Sequence, residues 1–85
     1  MPIEERVKLL LDEVLHLEGR TTSWDSQTPL LGSLPELDSL AIVEVIAGIE
    51  KTFKFAIEDD DINADVMATL GSLTRFIEQK ITPAQ

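Results

Sequence analysis

A serine at the start of a predicted helix is the residue in this sequence with the clearest chemical potential. Asp38, Ser39 and Leu40 lie where a long loop meets a helix whose outer face is partly apolar. A catalytic serine needs a general base, and the only histidine, His16, lies at the far end of the first predicted helix. Nothing else indicates a catalytic triad. The residues alone therefore do not indicate an enzyme, and a serine here most simply favours the helix start.

A run of acids supplies the second group of candidate residues. Glu58, Asp59, Asp60 and Asp61 are consecutive, so they lack the alternating ligand spacing and the turn glycine of an EF-hand loop. The absence of cysteine also removes disulfides and thiolate metal sites. We expect no metal site, and we interpret the run as a solvated acidic segment at the start of a short helix.

The charge balance narrows the classes of partner. Sixteen acids and seven bases give a net charge of −9, which repels nucleic acid and anionic membrane surfaces. Residues 36–65 hold nine of the acids and two of the bases, a balance of −7. Such a block is either a solvated face or a docking surface for basic partners. With a charged first stretch and no apolar run of membrane-spanning length, the chain is expected to be cytoplasmic.

Residue periodicity predicts one all-α domain over residues 1–85, with a mainly aliphatic core. A first helix is expected over residues 2–17 with Gly19 as its C-cap, followed by a long loop over residues 18–37. A second helix is expected from Asp38 to about Phe53, and a short one within residues 54–68. A last helix is expected from the cap Thr69 to about Ile81, with Pro83 ending it. The expected fold is a small bundle of three main helices and one short one. The apolar residues expected to tie the loop to the core are Leu30, Leu31, Leu34 and Trp24.

The second helix has apolar residues on two sides. At about 100° per residue, one side forms a core stripe of Ile42, Val45, Ile46, Ile49 and Phe53. The opposite side should be polar, yet it holds Leu40, Val43 and Ala47 beside Glu44, Lys51 and Lys54. We expect another molecule to cover this outer face. The alternative is that Leu40 and Val43 only pack under the preceding loop.

The region around Ser39 resembles the attachment region of acyl carrier proteins. The resemblance rests on Leu37-Asp38-Ser39-Leu40, followed at helical spacing by Val43, Glu44, Ile49, Glu50 and Phe53. It extends to Ile3-Glu4-Glu5-Arg6-Val7 at the start and to Leu73 with Phe76-Ile77-Glu78 near the end. It thus covers nearly the whole chain. What the resemblance implies is a helical bundle of the acyl carrier type without catalytic activity.

The resemblance implies that a phosphopantetheinyl transferase attaches 4'-phosphopantetheine to Ser39, and that the thiol of this arm carries acyl groups as thioesters. The first turn of a helix suits the anionic phosphodiester. The resemblance also implies that acyl ligases, acyltransferases or synthases dock through basic, partly apolar surfaces, with the chain acting as a monomer. The implied docking residues are Asp38, Leu40, Val43, Glu44 and Ala47.

One segment departs from the usual pattern of that family. A glycine commonly lies two or three residues before the Asp-Ser pair, whereas this chain has Leu34-Pro35-Glu36-Leu37. Pro35 stiffens the approach to the helix, and Leu37 adds bulk beside the attachment site. In this segment the chain resembles carriers associated with exosortase or exopolysaccharide gene systems. The alternative functions are a peptidyl or aminoacyl carrier, and an unmodified acidic adaptor that binds a basic partner.

Overall fold

Helix-favouring segments and their caps divide the chain into three α-helices. The structure, a computed structural model, describes residues 3–32, 34 and 37–81. The helices are α1 (Ile3–Leu15), α2 (Ser39–Phe53) and α3 (Leu70–Ile81). Short 3₁₀ turns occur at Arg20–Ser23 and Asp59–Asp61. The described residues contain no β-strand, so the predicted all-α bundle is confirmed, and its short helix is the three-residue turn at Asp59–Asp61.

The hydrophobic core is mainly aliphatic and lies where α1 packs against both α2 and α3. Burial of these side chains is the main favourable contribution to folding. The predicted stripe of α2 is partly confirmed, because Ile42 and Ile46 are only half-buried, as are Leu10 and Val14 in α1 and Phe76 in α3. Positions one residue away take their place in α1 and α2, namely Leu11, Leu15 and Ala41. The remaining buried apolar residues of the helices are Val7, Val45, Ile49, Phe53, Leu70, Leu73 and Ile77.

The end of α1 differs from the sequence prediction. The helix ends at Leu15, and His16 adopts the left-handed conformation with a φ of 55°. The backbone N–H of Leu17 then donates to the carbonyl of Asp12 at 3.0 Å, and the Leu17 side chain is buried. This is a Schellman end in which His16 takes the position that glycine usually occupies. The prediction that Gly19 caps a helix extending to residue 17 was wrong.

The long loop is held against the start of α3 by backbone hydrogen bonds. The N–H groups of Leu30 and Leu31 donate to the carbonyls of Ala68 and Met67, at 2.9 and 3.0 Å. The first two residues of α3 donate in the other direction, to carbonyls of the loop. The N–H of Leu70 donates to the carbonyl of Thr28 at 2.9 Å, and the N–H of Gly71 donates to that of Ser26 at 2.8 Å. The loop therefore satisfies donors that a helix start ordinarily leaves free.

Apolar side chains also fix this loop. Leu30 and Leu37 are buried, and Leu34 and Trp24 pack partly against the core, so three of the four predicted anchors are confirmed. Leu31 was predicted to be the fourth, but it is 39% exposed. Its neighbour Leu30 already fills the core position, and Leu31 lies in the turn that follows.

Capping side chains set the start of α3 as predicted. The N–H of Ser72 donates to the hydroxyl oxygen of Thr69 at 3.1 Å, and the N–H of Thr69 donates to that of Ser72 at 3.0 Å. Pro35 and Pro83, for which the sequence predicts roles, lie outside the described residues. Among the described residues, no helix has the length and apolar character that a bilayer crossing requires.

Candidate functional site

Ser39 is the first residue of α2, and its position is set by the cap before it. Asp38 has extended backbone, and its carboxylate accepts the N–H of Ala41 at 2.8 Å. Its carbonyl accepts the N–H of Ile42 at 2.9 Å, which closes the first helical turn. Ser39 is exposed. The local sequence thus places an accessible hydroxyl on a fixed helical backbone.

The first turn of α2 has free hydrogen-bond donors beside that hydroxyl. Within the described residues, the backbone N–H groups of Ser39 and Leu40 have no hydrogen-bond partner, unlike those of Leu70 and Gly71 at the start of α3. These N–H groups and the positive end of the helix dipole favour an anion. A phosphodiester on the Ser39 oxygen fits this setting, because it would place its negative oxygens next to donors that need acceptors.

The outer face of α2 exposes apolar side chains as the helical wheel predicts. Leu40 is 70% exposed and Val43 is 61% exposed, and Glu44 and Ala47 are also exposed. Leu40 therefore does not pack under the preceding loop. Leu37, the last residue of that loop, is 6% exposed and belongs to the hydrophobic core, so it does not add bulk at the surface. The exposed residues of this outer face are Asp38, Leu40, Val43, Glu44 and Ala47.

Charge changes sign along α2. Asp38 and Glu44 lie in its first half, whereas Lys51 and Lys54 are exposed at its end. Glu50 does not add to the exposed acid, because its carboxylate is only partly exposed and accepts the N–H of Ile57 at 2.7 Å. The negative end of the outer face is thus the end that carries Ser39.

His16 comes close to the start of α2, which its position in the sequence does not reveal. A groove of about 280 Å³ separates the end of α1 from the first turns of α2. Its lining residues are Val14, Leu15, His16, Asp38, Leu40, Ala41 and Glu44. No hydrogen bond joins His16 to Ser39 or Asp38 in the described part of the chain. The groove therefore lacks the base-to-nucleophile contact of a catalytic triad.

The acidic run after α2 is tied to the end of α3. The carboxylate of Asp61 accepts the N–H of Glu58 at 3.0 Å and the ammonium group of Lys80 at 3.2 Å. The hydrogen bond from Glu58, followed by that from Lys80, lowers the pKa of Asp61 below its ordinary value. Among the described residues, no three histidine, cysteine or acidic groups cluster as metal ligands.

Comparisons with known proteins agree on one family. A family model described as the phosphopantetheine attachment site matches residues 5–77. The chain is also similar to a holo acyl carrier protein from Nitrosomonas europaea, whose structure was solved in solution by NMR. The two chains are 43% identical, with a TM-score of 0.86, and the match covers 93% of this chain and 95% of the other.

Proposed function

This chain belongs to the acyl carrier protein family and carries acyl groups on a covalent 4'-phosphopantetheine arm, and we propose that Ser39 is the residue that holds the arm. The observation that carries this proposal is the exposed Ser39 beside N–H groups in the first turn of α2 that have no hydrogen-bond partner among the described residues. When bound, the arm supplies a thiol on which acyl groups form thioesters. The chain supplies the attachment oxygen and the donors that surround the phosphodiester.

The chain leaves activation of the hydroxyl to another protein. No basic side chain in the described residues hydrogen-bonds to Ser39, and the carboxylate of its chain neighbour Asp38 accepts the N–H of Ala41 instead. A serine hydroxyl is a weak nucleophile without an adjacent base. The base that removes its proton therefore comes from the phosphopantetheinyl transferase, and Ser39 must be accessible enough to enter that enzyme.

The outer face of α2 is the docking surface in this proposal. Glu44 and Asp38 attract basic surfaces of the transferase and of acyl ligases, acyltransferases or synthases over several ångströms. Leu40, Val43 and Ala47 then make short-range apolar contacts. Charge raises the association rate, and a small apolar patch permits rapid release. The chain acts as a cytoplasmic monomer, which leaves this face free for successive partners.

Intact mass spectrometry tests the attachment residue. Incubation with coenzyme A and a broad-specificity phosphopantetheinyl transferase should add the mass of one phosphopantetheinyl group. Ser39→Ala should abolish the gain and leave the circular dichroism spectrum unchanged, because the side chain is exposed. Ser23→Ala, a control at another exposed serine, should retain the gain. Modification of Ser39→Ala would show that another residue carries the arm, and an unmodified wild-type chain would contradict the carrier function itself.

A further inference from the structure

The groove between the end of α1 and the start of α2 has the position and chemistry to hold the arm itself. We propose that the part of the phosphopantetheine arm next to the phosphate lies in this groove, with His16 as the side chain that positions it. This inference rests on the proposed attachment to Ser39. It assigns a non-covalent binding site for the arm on the α1 side of α2.

Proximity is the first argument. Both chain neighbours of Ser39, Asp38 and Leu40, line the groove. An arm attached at Ser39 therefore samples the groove at the high effective concentration of a short tether. The other grooves described, one between Arg6 and Thr52 and two around Arg75, contain no residue from the first two turns of α2.

The lining of the groove matches the chemistry of the arm. The arm begins with a phosphodiester, followed by a dimethyl-substituted carbon, a hydroxyl group and two amides. Val14, Leu15 and Ala41 give the groove apolar walls, and Leu40 adds a largely exposed apolar surface. These side chains suit the dimethyl carbon, while the imidazole of His16 can exchange hydrogen bonds with the hydroxyl or the first amide.

The size and charge of the groove determine which section of the arm can bind in it. At about 280 Å³ it is near the lower limit of about 300 Å³ for pockets that enclose a small molecule, so it suits one section of the arm and not the cargo as well. Asp38 and Glu44 repel the phosphodiester. The phosphate therefore stays at the N–H groups of Ser39 and Leu40, and the uncharged section that follows enters the groove.

The backbone of His16 gives an independent reason to look for a role of its side chain. Its φ of 55° is in the left-handed region, which costs a residue with a Cβ about 1–2 kcal/mol. Glycine would end α1 without that cost. Residues in such conformations cluster at functional sites; Glu18 and Lys54 also adopt a positive φ, but neither lines this groove. Here the residue in the left-handed conformation, His16, is one of those that line the groove.

Solution NMR on matched apo and holo samples tests the proposal. Conversion to the holo form is first verified by intact mass, so a failure of the attachment proposal is recognised separately. We expect amide shift changes at Val14, Leu15 and His16, and nuclear Overhauser effects between the arm methyl protons and the methyl groups of Val14 and Leu40. Changes confined to residues 38–41, or contacts to Ile62 or Val66 in the segment after α2, would overturn the proposal.

Variants at His16 separate positioning from folding. His16→Gly relieves the left-handed strain, so it should fold at least as stably as the wild type and still accept the arm. It should reduce the holo-minus-apo shift changes at Val14 and Leu15 by at least about twofold. Asparagine tolerates the same backbone conformation and has a shorter polar group. The shift changes in His16→Asn should therefore lie between those of the wild type and those of His16→Gly. Unchanged holo-minus-apo differences in His16→Gly would remove His16 from the site.

Discussion

Leu37 and Leu40 flank the Asp-Ser pair and provide a matched test of the docking surface. Both are leucines truncated to alanine, yet one is buried and the other exposed. Leu37 is 6% exposed, so Leu37→Ala should lower the free energy of unfolding by about 2–5 kcal/mol. Leu40 is 70% exposed, so it retains about three tenths of the roughly 1.5–3 kcal/mol for full burial. Because alanine also favours the helix slightly, Leu40→Ala should cost only about 0.5 kcal/mol.

Modification kinetics should show the opposite order of effects. If Leu40 contacts the transferase, its truncation should remove about 1 kcal/mol of binding, or roughly a fivefold loss in kcat/KM. Leu37→Ala, measured where it is still folded, should be modified at a rate much closer to that of the wild type. Urea unfolding by circular dichroism and by fluorescence of Trp24, the single tryptophan, gives the stabilities. Time-resolved intact mass on the same samples gives the rates.

Two outcomes would refute this reasoning. A loss of more than about 2 kcal/mol in Leu40→Ala would mean that the side chain is part of the core. Unchanged kcat/KM in a stable Leu40→Ala would mean that the transferase docks without contacting it. In that second case, the acidic Glu44 should still be tested, because its effect on association depends on salt whereas that of Leu40 does not.

Two further predictions concern stability. A Cβ on Gly71 would lie 2.6 Å from the backbone oxygen of Ser26, so Gly71→Ala should lower the free energy of unfolding by about 1–3 kcal/mol in urea titrations. The control Gly48→Ala meets a flexible side-chain end at 3.0 Å and should be nearly neutral; equal losses would contradict the close approach. Asp61→Asn should remove stabilisation that is present above pH about 4 and is lost as pH falls through the lowered pKa of Asp61. The melting temperatures of the variant and the wild type should therefore converge in acid, and a constant difference would contradict the lowered pKa of Asp61.

Capping chemistry made the starts of two helices predictable. Asp38 and Thr69 supply side-chain acceptors for backbone N–H groups three residues later, and such local interactions are readable from the order of residues. The outer face of α2 was equally readable, because an apolar residue opposite a complete core stripe has no core to enter. The exposure of Leu40 and Val43 confirms that reading, while their docking role remains a prediction.

Features set by tertiary packing were not readable in the same way. The sequence offers Gly19 as a helix end, but burial of Leu17 favours an earlier end with His16 in the left-handed conformation. Periodicity gives the buried side of each helix and not the angle between helices. For that reason the sequence alone could not bring His16 next to Asp38 and Leu40, and the groove was missed.

The hydrogen bonds between the long loop and α3 have a consequence for the order of folding. They pair residues 26–31 with residues 67–71, and the whole of α2 lies between these partners in sequence. Such a pairing closes a long loop of chain. The entropy lost in closing this loop opposes the pairing until the hydrogen bonds have formed. The loop and the start of α3 should therefore assemble late and as one cooperative unit. An amide such as that of Leu30 then exchanges its hydrogen with water only when α3 detaches, although it lies in a segment without regular secondary structure.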